Sequence, residues 1–163
     1  MTAEIAIKIL GALLLMLSAI YFSYAKISAS RKRIIEVAAF IDMITEVKNR
    51  ILYFSKPIPE IFASYNNEYF EKEGLIECIK TQGAKTAIQN YQFAGKNEIV
   101  SVVTSLFNKL GDGYTEEAVN LCSYTLEKLS DIRDRLTIEN KNAEKLYRSL
   151  PILAVLSVIL ILI

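Results

Sequence analysis

Two stretches without a charged side chain, residues 9–25 and 150–163, enclose a middle segment that carries nearly all of the Lys, Arg, Asp and Glu of the chain. Inside that segment the apolar positions are periodic. Ile34, Val37, Ile41, Ile44, Val47, Ile51 and Phe54 recur at helical spacing, which predicts one face of a long amphipathic helix. No Pro or Gly follows Gly11 before this face ends, so the helix is expected to continue unbroken from the first apolar stretch. Ser55-Lys56-Pro57-Ile58-Pro59 stops it, because proline lacks the N–H for the helical ladder and disfavours helical geometry at the residue before it. A short helix follows with Ile61, Phe62 and Tyr65 inward and Glu60 near its positive end. Asn66-Asn67 and then residues 71–74 read as loosening or a turn. Residues 75–80 and 84–91 read as short helices split by Gly83.

The second half has two clearer elements. Asn97 is the expected cap of a helix whose Ile99, Val102, Val103, Leu106 and Leu110 form a narrow apolar stripe ended by Gly111. Thr115 is the expected cap of the last helix, with Glu116 and Glu117 opposing the macrodipole in its first turn. From there Ala118, Cys122, Thr125, Leu129, Ile132, Leu136, Glu139, Ala143, Leu146 and Leu150 alternate steps of four and three, a heptad seam weakened at Thr125 and Glu139. A helix of some 50 Å would run along it to the second apolar stretch, and the face over residues 34–54 is its natural partner. Bundle packing within one chain and an intermolecular coiled coil both satisfy such a seam. No strand pattern is present. The fold class expected is all-α, an antiparallel helical bundle flanked by an N-terminal and a C-terminal transmembrane helix.

The terminal stretches set the expected topology. At about 1.5 Å per residue, residues 9–25 span roughly 25 Å and residues 150–163 roughly 20 Å, against a hydrocarbon core of about 30 Å. For the shorter second stretch, Lys145 and Arg148 can snorkel, Tyr147 suits the interface, and the terminal carboxylate can sit in the far headgroups. A cleaved signal peptide with Ser23-Tyr24-Ala25 as its small-x-small site is the alternative for the first stretch. A helix lying in the interface is the alternative for the second. Lys26, Arg31, Lys32 and Arg33 follow the first stretch with no acid among them, and Lys141, Lys145 and Arg148 precede the second. Both flanks put the middle on the cytoplasmic side, by the positive-inside rule. Tyr21, Phe22 and Tyr24 fit an aromatic belt there. The domains expected are a transmembrane helix over residues 1–26, a cytoplasmic bundle over 27–149, and a second transmembrane helix over 150–163.

Composition narrows the chemistry. There is no His, so imidazole base catalysis and histidine metal ligation are absent. Cys78 and Cys122 form no C-x-x-C pattern and are expected as reduced, small core residues. Leu110-Gly111-Asp112-Gly113 lacks the Lys-Ser/Thr of a phosphate loop and the spaced acids of a calcium loop, so it reads as a helix end and turn. A formal charge of +1 argues against a dedicated nucleic-acid binder. Nothing marks an enzyme, and no catalytic, cofactor-binding or metal-ligating residue emerges. The candidate contacts are two surfaces: the basic collar Lys26, Arg31, Lys32 and Arg33, suited to anionic lipid headgroups, and the charged run Asp131, Arg133, Asp134 and Arg135. A solvated face is the simpler account of each.

Several segments, taken in order, carry a likeness. Lys8-Ile9-Leu10-Gly11-Ala12 leads through apolar residues to the basic stretch ending Arg31-Lys32-Arg33-Ile34. Residues 46–58 close a long helix with aromatics and a proline, and residues 106–111 form a Leu-rich segment closing in Leu-Gly. Asn140-Lys141-Asn142-Ala143-Glu144-Lys145-Leu146-Tyr147-Arg148-Ser149-Leu150 precedes the aliphatic tail. This order resembles the stage III sporulation protein AB family, although Pro151 and Ala154 stand where the family's last segment is often Gly-rich. The resemblance implies a non-enzymatic part of the channel complex joining mother cell and forespore in endospore-forming bacteria. It implies a soluble domain similar to the helical domain of type II secretion and type IV pilus platform proteins. The partners implied are a secretion-type ATPase in the mother-cell cytosol, the other membrane proteins of the complex and membrane lipids, with homo-oligomerisation open. A membrane-anchored adaptor or oligomerising scaffold without a motor is the alternative function.

Overall fold

One uninterrupted helix, α1 (Thr2–Phe54), joins the first apolar stretch to the amphipathic face, as the lack of Pro and Gly after Gly11 leads one to expect. It is followed by α2 (Ile58–Ala63), α3 (Glu68–Lys72), α4 (Leu75–Gln82), α5 (Ala84–Asn90), α6 (Asn97–Lys109) and α7 (Thr115–Leu162). The computed structural model of the chain describes residues 2–54, 56–95, 97–110 and 115–162, without the side chains of residues 2–9, 12, 15, 148, 150–152 and 154–162. Among the described residues there is no strand, and the chain is all-α. Among them, too, no helix is long and apolar enough to cross a membrane. The expected turn at Gly111-Asp112-Gly113 and the side chains of Arg148 and the seam residue Leu150 lie outside the described residues.

Local chemistry accounts for the breaks. Pro57 sits extended immediately before α2, where a missing N–H costs nothing. The stretch after Asn67 differs from the expected loosening. The Asn67 side chain accepts from the N–H groups of Tyr69 and Phe70 at 3.0 and 3.3 Å, and this cap starts α3, which Phe70 anchors in the core at 0 % exposure. The turn is confined to Glu73 and Gly74, the glycine taking φ of 74°. Gly83, at φ 84° and ψ 155°, separates α4 from α5 in a conformation open only to glycine. Asn97 and Thr115 are the first residues of their helices and not the residues preceding them.

The chain divides into two compact units. Lys32–Leu136 forms one, containing α2 to α6 with the adjoining parts of α1 and α7. Its core gathers Val37, Ile44, Val47 and Ile51 of α1 as expected, with Ile61, Phe62 and Tyr65, the α6 stripe, and Cys122, Leu129, Ile132 and Leu136 of α7. Two α1 positions change places. Phe54 is 69 % exposed, whereas Phe40, outside the expected stripe, is fully buried. Phe40 packs against Phe70, Phe93 and Tyr91 with ring centroids 4.8, 5.5 and 6.0 Å away. The stripe that best fits the core runs through Val37, Phe40, Ile44, Val47 and Ile51, and four consecutive apolar residues at 51–54 cannot all share it on a helix. Thr125 is buried at 2 % exposure and satisfies its hydroxyl by donating to the Leu121 carbonyl at 2.8 Å.

The other unit comprises Met1–Arg31 and Thr137–Ile163. Here the α7 seam departs from the heptad. Glu139 is exposed, Asn140 is buried, and Leu146 is 63 % exposed. An α-helix with 3.6 residues per turn drifts about 20° per heptad, so after three heptads Asn140 points closer to the direction of Ala118 than Glu139 does. Ser23, buried on α1, donates to the Ala19 carbonyl at 2.7 Å. Leu10, Leu13, Leu14 and Leu17 are each more than half exposed.

Candidate interaction surfaces

The basic collar is largely engaged within the protein. Arg31 pairs with Glu144 at 3.2 Å and Lys32 with Glu73 at 2.9 Å, while Arg33 donates to the Ala94 carbonyl at 3.0 Å. Lys26 lies over the Phe22 ring, 5.6 Å from its centroid. These four side chains therefore do not form a single free cationic surface. The charged run is likewise a paired face: Arg133 binds Asp134 at 3.1 Å, Arg135 pairs with Glu98 of α6, and Asp131 is exposed. Such exposed pairs contribute on the order of 0–1 kcal/mol each.

Arg33 belongs to a clamp that the sequence reading did not find. One turn further along α1, Glu36 is fully buried and its two oxygens accept from the backbone N–H groups of Ala94 and Gly95 at 2.9 and 3.0 Å. Donor and acceptor on α1 thus hold both polarities of the segment between α5 and α6. Burial pushes the Glu36 carboxyl above its ordinary range, against the lowering effect of the two backbone donors and of Tyr91 and Lys32. Among the described residues the buried hydroxyls of Tyr69 and Tyr91 have no hydrogen-bond partner, and burial, helped by the Glu36 charge, raises both phenols. Both Glu36 oxygens are taken up by the chain's own backbone N–H groups, so what the clamp does is hold a loop. A lone Glu on an otherwise apolar face was its signal in the sequence.

A second feature was equally unforeseen. Between α2, α4, α5 and α6 lies an open cleft of about 360 Å³. Phe62, Ile79 and Phe107 form its floor, the two phenylalanine rings 5.5 Å apart. Pro59, Lys80, Gly83 and Lys85 stand at its exposed rim. Nearby in sequence, Leu52, Tyr53 and Phe54 leave α1 with 49, 73 and 69 % of their surfaces exposed. The density of apolar residues at 51–54 hinted at this exposed patch, and nothing in the sequence hinted at the cleft.

The cysteines divide. Cys122 is fully buried, and burial pushes its thiol up to about 11, but Cys78 is exposed, contrary to the expectation that both sit in the core. Cys78 follows the exposed Glu77 on the outer face of α4, while Ile76 and Ile79 take the inner one. Among the described residues no cluster of Cys, Asp and Glu is placed to hold a metal ion.

The family model for stage III sporulation protein AB matches residues 8–163. The chain belongs to the stage III sporulation protein AB family. No curated protein and no solved structure matches it. Membership gives the protein a role in sporulation.

Proposed function

We propose that the protein is a non-enzymatic, membrane-anchored component of the channel assembly between mother cell and forespore. It presents its bundle to a secretion-type ATPase on the mother-cell cytoplasmic side. The family match over residues 8–163 carries this reading. Further support comes from α1 and α7, each continuous from a charge-free terminal run into the bundle. The exposed leucines at 10, 13, 14 and 17 on α1 favour a lipid environment over water, where so much apolar surface is a liability. The positive flanks at 26–33 and 141–148 favour the cytoplasmic side for the bundle. Motor-driven tilting of the bundle would be passed to the membrane through α1 and α7, since neither carries a proline within its bundle portion.

Two experiments test the proposal separately. Cys78, being exposed, reports topology: a membrane-impermeant maleimide should label it only after the mother-cell membrane is opened. Labelling in intact cells would reverse the topology. For the partner, the full chain in detergent should retain the sporulation ATPase in a pull-down, and exposed-face substitutions should weaken retention. Retention unaffected by any such substitution would remove the motor from the reading.

A further inference from the structure

The cleft between α2, α4, α5 and α6 has a chemical bias that the anchored-platform reading does not use. Its floor is aromatic and aliphatic, from Phe62, Ile79 and Phe107. Among the described residues Lys80 and Lys85 are the ionisable side chains in its lining, with no carboxylate beside them there. Among the described residues neither lysine has an ion-pair or hydrogen-bond partner, whereas Lys56–Glu60, Lys72–Glu68 and Lys32–Glu73 are paired. The described lining of the cleft therefore carries positive charge at its rim.

From this juxtaposition we propose that the cleft is a docking site for an acidic amphipathic helix of a partner protein. Its apolar side chains enter between Phe62 and Phe107, and its carboxylates meet Lys80 and Lys85. The inference goes beyond the platform reading and holds whether or not the partner is a motor. The size fits. A cleft of 360 Å³ lies at the small end of the range for ligand pockets, room for a few anchoring side chains and not for a large cofactor. The mode fits as well. Among the described residues there is no strand edge to extend, so strand addition is closed, and an apolar floor with a basic rim suits the two faces of an acidic amphipathic helix. Gly83 keeps the wall between the lysines low, with open space where a Cβ would stand. Charge pairing at an exposed rim mainly raises the association rate and selects the partner, while the buried anchors supply affinity.

The test uses the full chain in neutral-detergent micelles and a fluorescein-labelled helical peptide. The peptide has Leu at i, i+3, i+4 and i+7 and Glu beside them. Two control peptides carry Lys in place of Glu, or Ser in place of Leu. Fluorescence anisotropy should show the Glu peptide binding at least tenfold more tightly than the Lys peptide, and this preference should weaken as salt rises. The double variant Lys80→Glu, Lys85→Glu alters two exposed residues and should retain its helix content by circular dichroism. It should reverse the preference in identical micelles, where partitioning of peptide into detergent cancels. The Ser peptide should not bind. Equal binding of the Glu and Lys peptides, or a preference unchanged by the double variant, would overturn the proposal. So would self-association of the native chain that the double variant abolishes, because a second copy would then own the cleft.

Discussion

Replacing Phe40 and Phe54 in turn by alanine asks directly which of the two α1 phenylalanines belongs to the core. Phe40 is fully buried and touches three aromatic rings with centroids 4.8 to 6.0 Å away. A phenylalanine truncated to alanine in a closed core costs about 3–5 kcal/mol, the residual cavity setting where in that range it falls. The aromatic pairs add about 0.5–1.5 kcal/mol each beyond area burial, which places Phe40→Ala toward the upper end. Phe54, 69 % exposed at the last turn of its helix, leaves no cavity, and its loss should stay within about 0.5 kcal/mol. Urea unfolding of the full chain in micelles, followed by the helical circular dichroism signal, gives both free energies. Thermal melts should separate the variants by roughly 10 °C, at about 2–4 °C per kcal/mol for a chain of this size. If Phe54→Ala cost as much as Phe40→Ala, the placement of α1's face would be refuted and the simple periodic stripe restored.

Other expectations follow from the same surfaces. Glu36 binds its proton more tightly in the folded chain than its ordinary value, so its stabilising contribution is complete below that value, near 4.5, and is lost as pH rises through the folded one. The stability of the native chain relative to Glu36→Gln should therefore fall as pH rises above 4.5 in urea titrations, and a rising difference would contradict the burial argument. Asn67→Ala removes the acceptor of two α3 N–H groups and should cost about 1 kcal/mol, measured by denaturation, with Asn67→Asp close to native. Cys78 should react with iodoacetamide under native conditions at neutral pH while Cys122, buried with its thiol pushed to about 11, reacts only in denaturant, as mass spectrometry of tryptic peptides can read.

The helices were largely legible because their signals are local. Pro57 and Pro59 end α1, Gly83 divides α4 from α5, and the stripe of α6 matches its buried Ile99, Val103 and Leu106. What the sequence hid depended on distant partners. Phe40 looks like one apolar residue among several on α1, and only Phe70 and Phe93 from another part of the chain make it the centre of a cluster. Glu36 is a lone acid on an apolar face whose partner, the Ala94-Gly95 segment, lies far along the chain. The heptad seam held from Cys122 to Leu136 and then failed at Glu139, because counting in sevens accumulates an angular error that no single residue reveals. The candidate collar and charged run were visible as charge. Their pairing, with Glu144, Glu73 and Glu98, was not. The cleft is a product of four short helices meeting, and no periodicity predicts such a gap.

The sequence separation of the Glu36 clamp bears on the order of assembly. It joins residues 58 to 61 positions apart, whereas α4, α5 and α6 meet their immediate neighbours in sequence. Local pairs close early and distant ones late, because a long loop must be closed before such a contact rewards it. During synthesis the apolar face of α1 is therefore the first to leave the ribosome and the last to be covered. It waits for the 94–95 segment to be made, and then for Leu129 and Ile132 of α7 to complete its core. The first helix made is thus the most exposed to wrong partners, and a pause in translation near residue 110 would prolong that exposure.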